Sequence, residues 1–369
     1  MSTIEIFNSS RLTWARRRRG LTKTKLAVSL GVDLRSVSAY ETGEFAPEAD
    51  KLTRIARVLK FPENFFFGDD LEEPAFDTAS FRSMSKMTAS QRDTALGSGA
   101  IALLLNEWIE GRFDLPHADV PDLGRDGSPE GAAEAVRRAW GLGELPIKNM
   151  VHLLEAKGVR VYSLAIDAVE VDAFSMWRQD RPFVFLNTLK SAEHGRFDAA
   201  HELGHLVLHR HAAPNGQEAE QDANSFASAF LMPAASVRAH APRFPTIDNL
   251  IRLKKIWGVS LAAITYRLHK LGLLTDWHYR KLYIEIASRG YRKTEPAEGP
   301  REVSQILQKV FAALREDGIG KHDIACALNV HAEDVDELVF GLALTGLNGS
   351  GRPPTPKRRP ELTVVSSRE

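Results

Sequence analysis

The sequence predicts a mainly α-helical protein carrying one small β-sheet. Three observations support this. Apolar residues recur at helical spacing through most of the chain, an early stretch reads as helix, tight turn, helix, and period-two alternation is confined to a central segment between Val159 and Leu186. An all-α N-terminal part, an α+β centre and a helical C-terminal region follow in that order. With 369 residues and 43% hydrophobic content, there is room for two or three domains with cores of their own.

The first element pair lies between Gly20 and Gly43. Ala27 is small where a second helix must cross the first, and Gly31 stands at the turn, where a positive φ costs little. Leu26, Leu30, Val32 and Val37 supply the apolar contacts. With Leu12, the Pro47-x-x-x-x-Leu52 segment, Ile55-Ala56 and Leu59, the stretch resembles the Xre/Cro type of helix-turn-helix domain, expected over residues 8–68. The resemblance implies that the second helix of the motif enters a DNA major groove. Arg35, Ser36 and Ser38 are then the base-facing candidates and Lys23 a phosphate or base contact. The run Arg16 to Arg19 would add salt-dependent backbone affinity, while Glu41, Glu44, Glu48 and Asp50 dilute the field.

A connecting region is expected over 69–145. It opens on the acidic stretch Asp69 to Glu73 and continues with a helix from Thr88 to Arg112 and another that Ser128-Pro129 caps, running through Trp140. Ile147 to Lys157 reads as a third helix, and Val159 to Leu164, Val171 to Trp177 and Pro182 to Leu186 read as strands.

The segment Phe197-Asp-Ala-Ala-His201-Glu202-Leu-Gly-His205-Leu-Val-Leu-His209 follows. On a helix, His201 and His205 share one face and can grip one divalent ion, whereas Glu202, rotated about 100°, can stand beside a water as general base. An H-E-x-x-H match arises by chance in very roughly 2% of chains this long, so the next element matters. Gly204 inside this helix costs about 1 kcal/mol against alanine, which suggests a close approach by metal, substrate or neighbouring backbone. A second helix carries Ala223, Phe226, Ala227 and Phe230 as its apolar stripe and ends at Pro233. Glu220, on a different face, is the expected third ligand; His209, His211 and Asp222 are the alternatives. His209 and His211 otherwise read as exposed polar residues at a helix end.

Taken together, Arg196-Phe197-x-x-Ala200-His201-Glu202-Leu203-Gly204-His205, Glu220-x-x-Ala223-Asn224-x-Phe226-Ala227 and Leu231-Met232-Pro233 resemble the ImmA/IrrE family of zinc metallopeptidases. The resemblance covers roughly 146–240 and implies an α+β, zincin-like metallopeptidase domain there. It implies zinc (Zn2+) as cofactor, His201, His205 and Glu220 as its ligands, Glu202 as the catalytic base, and a helix-turn-helix repressor as the protein substrate. Asp198-Ala199 departs from the family pattern without touching the chemistry. For steadying an oxyanion, His240 and Tyr266 are the candidates.

Behind this domain, Leu250 to Leu271 with Ser260 as an N-cap, and Val303 to Leu342 with Ile324-Ala325 and Val335-x-x-Leu338, form a helical C-terminal region (241–345). The second of these units bears a faint likeness to another helix-turn-helix. The tail, 346–369, reads as disordered from its Gly-Ser-Gly, Pro353-Pro354 and Lys357-Arg358-Arg359 content.

Lysine plus arginine equal aspartate plus glutamate at 48 each, so attraction to DNA has to be local. A single cysteine, Cys326, excludes an intramolecular disulfide, and no signal peptide or membrane-length apolar run is evident, so no membrane partner and a cytoplasmic location are expected. Two functions fit: a zinc endopeptidase tethered to a DNA operator, with a homodimer compatible, or a non-proteolytic DNA-binding regulator or antitoxin that uses the peptidase fold as a sensor or partner-binding module.

Overall fold

The computed structural model describes residues 6–71, 88–124, 127–164, 173–211 and 216–343. The 346–369 tail, most of the acidic connection after Asp70, the start of the expected strand at Val171 and the Pro214-Asn215 turn lie outside the described residues.

Four helices, α1 (Ser9–Arg18), α2 (Lys23–Leu30), α3 (Leu34–Thr42) and α4 (Ala49–Leu59), close around Leu12, Leu26, Leu30, Val37, Ile55 and Leu59, and a 3-10 turn at Glu63–Phe67 adds Phe65 and Phe66. Thr22 caps α2 through the amide of Lys25, and Gly31 leaves it at φ 60°, ψ 42°, the left-handed conformation that the turn requires. The long helix α5 (Ala89–Glu110) packs across α1. A methyl group at Gly97 would stand 2.7 Å from the Arg18 Cα, so the two backbones meet where only glycine fits.

Helices α6 (Pro129–Ala139) and α7 (Met150–Ala156) lead into strands β1 (Arg160–Ser163), β2 (Ala173–Arg178) and β3 (Arg181–Leu186). α7 starts later than Ile147 because the side chain of Asn149 accepts from the His152 amide and sets the N-terminus there. The sheet order is β1-β3-β2, with β1 parallel and β2 antiparallel to β3, Val161 facing Val184 and Ser175 facing Val184 from the other side. β3 is therefore central.

Helix α8 (Ala192–Leu208) lies on β2 and β3, fixed by two strand side chains: Ser175 Oγ donates to the Glu202 carbonyl at 3.3 Å and Trp177 Nε1 to the Leu206 carbonyl at 3.1 Å. Helix α9 (Gly216–Leu231) packs along α8 and against α6, burying Ala223, Phe226, Ala227 and Phe230. Then come α10 (Ala234–His240), α11 (Ile247–Trp257), α12 (Leu261–Lys270), α13 (Asp276–Ser288), α14 (Gln305–Glu316), α15 (Lys321–Leu328) and α16 (Ala332–Val339). Ser260 caps α12, accepting from Ala263, as its position suggested.

Candidate metal centre

α8 and α9 cross closely enough to bring their polar faces together. A methyl at Gly204 would meet the Phe226 ring at 3.1 Å and the Ala223 backbone at 3.2 Å. Of the approaches that the glycine suggested, the neighbouring backbone is the one found. The crossing places His201, His205 and Glu220 around one point, their ligand atoms within 4.8 Å of one another, so that the three could hold a metal ion. His201 Nε2 and His205 Nε2 are 3.1 Å apart, and the Glu220 carboxylate oxygens lie 3.5 Å from the first and 3.3 Å from the second. Ligands bound at about 2.0–2.1 Å in a tetrahedron stand roughly 3.3–3.4 Å from one another, so the donor set fits a tetrahedral ion with one position left over. Two facing imidazole nitrogens need a cation or a proton between them; their lone pairs otherwise repel.

The back of each ring is also engaged. His201 Nδ1 lies 3.1 Å from Asn224 Oδ1, which only accepts, so the proton sits on Nδ1 and Nε2 keeps its lone pair. His205 Nδ1 lies 3.1 Å from Nδ1 of His209, whose Nε2 is 3.9 Å from Asp222 Oδ2. His209 is thus neither an exposed helix-end residue nor a third ligand: it is 6% exposed and stands behind His205. Asp222 stands behind His209 in turn, while His211 is exposed and pairs with Asp122 at 2.6 Å. The histidines at 201, 205 and 209 follow one another at i, i+4 and i+8, and that spacing was the available signal for His209.

Burial tends to lower the His201 pKa, but the Glu220 hydrogen bond and the charges of Glu202, Glu220 and Asp198 carry it upward. His205 is pushed down to about 4, first by burial and then by the neighbouring His201 and His209 rings. Burial would raise Glu220, yet the two imidazoles hold it well below the usual carboxylate range. Glu202 is buried and outside the converging group, and its charge is felt at His201.

Beside the centre, Phe197, Asn224, Ser225, Tyr266, Lys270 and Tyr283 line a cavity of about 610 Å³. Tyr266 therefore faces space continuous with the Asn224 side of the centre. His240 bonds its own helix, with Nδ1 2.8 Å from the Ser236 carbonyl, and stacks edge-on with Trp257.

In the N-terminal domain Arg35 is exposed near the start of α3, with Ser36 and Ser38 partly exposed after it. Lys23 lies 3.3 Å from Glu41 Oε2. The basic run differs from the reading of a free phosphate-binding stripe. Arg16 binds the buried Glu41 at 2.5 Å, Arg18 pairs with Glu337, and Arg19 pairs with Asp334 at 2.9 Å, so these three face carboxylates of the protein itself. Glu41 in turn adds little to the acidic field, being neutralised from two sides.

Residues 12–66 match the family model described as helix-turn-helix, and residues 154–269 that of a peptidase family, described as an IrrE N-terminal-like domain. The chain is 35% identical over 66 residues to an uncharacterized HTH-type transcriptional regulator of Sinorhizobium medicae (strain WSM419), and equally to one of Rhizobium meliloti (strain 1021). Each match covers 18% of this chain and 48% of the relative, so the chain spans about half the length of the curated relatives it matches. The chain thus carries a helix-turn-helix domain at residues 12–66 followed by an IrrE N-terminal-like, peptidase-family domain at residues 154–269.

Proposed function

We propose that this protein is a zinc-dependent endopeptidase of the H-E-x-x-H type, joined to a DNA-binding domain, that cuts a repressor or antitoxin-like regulatory protein. The observation that carries the reading is the convergence of His201, His205 and Glu220 at tetrahedral spacing. These three residues would hold the ion, which when bound would supply a Lewis acid to polarise a peptide carbonyl and acidify water. With Asn224 Oδ1 and His209 Nδ1 as acceptors, the two imidazoles would carry their protons on the far side, so that both Nε2 atoms would point inward as donors of electron pairs. Glu202 takes the proton from the attacking water and returns it to the leaving amine. Its burial leaves that carboxylate little competing solvent. An extended substrate would pair with β2, the edge strand against α8, and the cavity around Phe197, Tyr266 and Lys270 would receive one of its side chains. Lys23, Arg35, Ser36 and Ser38 would contact an operator, bringing proteolysis to a promoter. Among the described residues no helix is long and apolar enough to cross a membrane.

A second reading is a DNA-binding regulator that turns nothing over. The match to HTH-type transcriptional regulators favours it. The test is metal content of wild type, Glu202→Gln and Glu220→Ala, alongside co-expression of each with candidate helix-turn-helix repressors. Zinc retained in Glu202→Gln and lost in Glu220→Ala, with cleavage by wild type alone, is the expected result. Cleavage by Glu202→Gln would refute the assigned base, and zinc without cleavage of any candidate would favour the second reading.

A further inference from the structure

Residues 305–341 repeat the backbone of the N-terminal motif. Helices α2 and α15 are both eight residues long, and each is closed by a left-handed residue, Gly31 and Asn329. α3 and α16 begin three positions after that residue. The turn's hydrogen bonds recur one for one: Gly31 and Val32 donate to Val28 and Ala27, and Asn329 and Val330 donate to Cys326 and Ala325. The match extends upstream, where Gly20 and Gly318 both have positive φ and Leu21 and Ile319 donate to Arg16 and Leu314. Buried Leu26, Ala27, Leu30 and Val37 are answered by Ile324, Ala325, Leu328 and Val335. A turn of this kind also joins α11 and α12 at Gly258, but nothing there corresponds to the Gly20-Leu21 step.

What differs is the chemistry of the second helix. Where the first motif has Arg35, Ser36 and Ser38, the second has Glu333, Asp334 and Asp336, with Glu337 next. Carboxylates on the helix that would enter a groove repel phosphate. Two of them are directed at the N-terminal domain, while Asp336 pairs within the motif with Lys321 at 2.6 Å. Both oxygens of the buried Asp334 accept from the Arg19 guanidinium, at 2.9 and 3.1 Å, a bidentate arrangement, and Glu337 pairs with Arg18. α16 also packs on β1, and Gly341 comes so close to the Thr188 side chain just after β3 that an added Cβ would stand 2.8 Å from it. One short helix and its end therefore touch the N-terminal domain and the central sheet together.

We propose that residues 305–341 form a second helix-turn-helix that recognises protein instead of DNA: its acidic reading helix docks the basic first helix of the N-terminal domain and fixes that domain to the central sheet. Arg18 and Arg19 are then docking residues and not phosphate contacts.

The test uses the full chain. Asn64, in the 3-10 turn of the N-terminal domain, and Cys326, the sole cysteine, line one cavity between that domain and the second motif, so Asn64→Cys supplies a pair that a short bis-maleimide bridges while the two are docked. Adding Asp334→Asn with Glu337→Gln is expected to slow bridging at least ten-fold, whereas Glu333→Gln with Asp336→Gln leaves it unchanged. Unchanged bridging in the first variant would overturn the proposal. If that variant fails to fold, Glu337→Gln alone, with a side chain 41% exposed, is expected to slow bridging several-fold. Anisotropy on a labelled duplex forms a second arm: Glu333→Gln with Asp336→Gln should leave affinity within two-fold. A ten-fold change would mean that the second motif reads DNA, and the proposal would fall. Failure of the first motif to bind DNA would count against the proposed function but leave the bridging result standing.

Discussion

Gly204 has no side chain because α9 leaves no room for one. Gly204→Ala forces Phe226 or the Ala223 backbone to yield by a few tenths of an ångström, and overpacking of this kind costs about 1–3 kcal/mol. Urea melts of the two proteins measure it; an unchanged midpoint would show that the helices separate freely. His209 acts through His205. With His209 Nδ1 3.1 Å away as the acceptor, the His205 ring proton is held on the side away from the centre, so His209→Ala is expected to weaken metal binding about 10–100-fold, read by chelator competition with zinc. His209→Gln, which keeps an acceptor within reach of the same atom, should recover part of the loss. Equal zinc affinity in wild type and His209→Ala would mean that packing alone orients His205.

Elements are held here by buried ions as well as apolar faces. Lys254 of α11 is buried, with its Nζ 2.7 Å from Glu193 of α8 and 3.0 Å from Glu295. Removing one partner leaves a carboxylate uncompensated, so Lys254→Ala is expected to cost about 3–5 kcal/mol by denaturant unfolding. Glu155 ends α7 and caps α14, accepting from Gln305 and Ile306 and pairing with the Ser304 hydroxyl. Burial pushes its pKa up to about 7 despite those hydrogen bonds. The folded protein therefore holds this proton where the unfolded chain has released it. Its contribution is complete below about pH 4.5, declines as pH rises and is gone above about 7, a change of about 3 kcal/mol. Subtracting the pH–stability curve of Glu155→Gln, which does not titrate, should isolate that decline; parallel curves would show an ordinary carboxyl. Helix identities were legible because apolar spacing, N-caps such as Ser128 and Ser260 and the left-handed glycine at 31 are local signals. The partnership of Glu155 with α14, or of Lys254 with Glu193, joins segments far apart in sequence and leaves no local pattern. Sheet order was illegible for the same reason.

At the scale of the whole molecule, equal numbers of acids and bases leave no net field, and attraction to a polyanion depends on where the bases are left uncovered. The run Arg16 to Arg19 is the densest basic feature of the first domain in the sequence, and the fold spends most of it internally, since Glu41, Asp334 and Glu337 converge on it. Sequence alone could not show this, because two of those carboxylates come from the opposite end of the chain. The group that could hold a metal was legible for the converse reason: two of its members lie one helical turn apart and the third on the next helix. If the N-terminal domain binds DNA, the exposed Lys25 stands beside the proposed contacts Lys23 and Arg35 and is free of the Glu41 that holds Lys23, so it too can meet a phosphate. Each phosphate neutralised adds about 0.9 to the slope of log affinity against log salt. Lys25→Ala is therefore expected to reduce that slope by about one, and Arg35→Ala to weaken binding and relax sequence preference as well. Arg16→Ala, which removes a base already paired with Glu41, should leave the slope unchanged even where it lowers domain stability. Titrations of a labelled duplex at several salt concentrations separate these outcomes, and a slope that falls by about one in Arg16→Ala would place that guanidinium on the DNA.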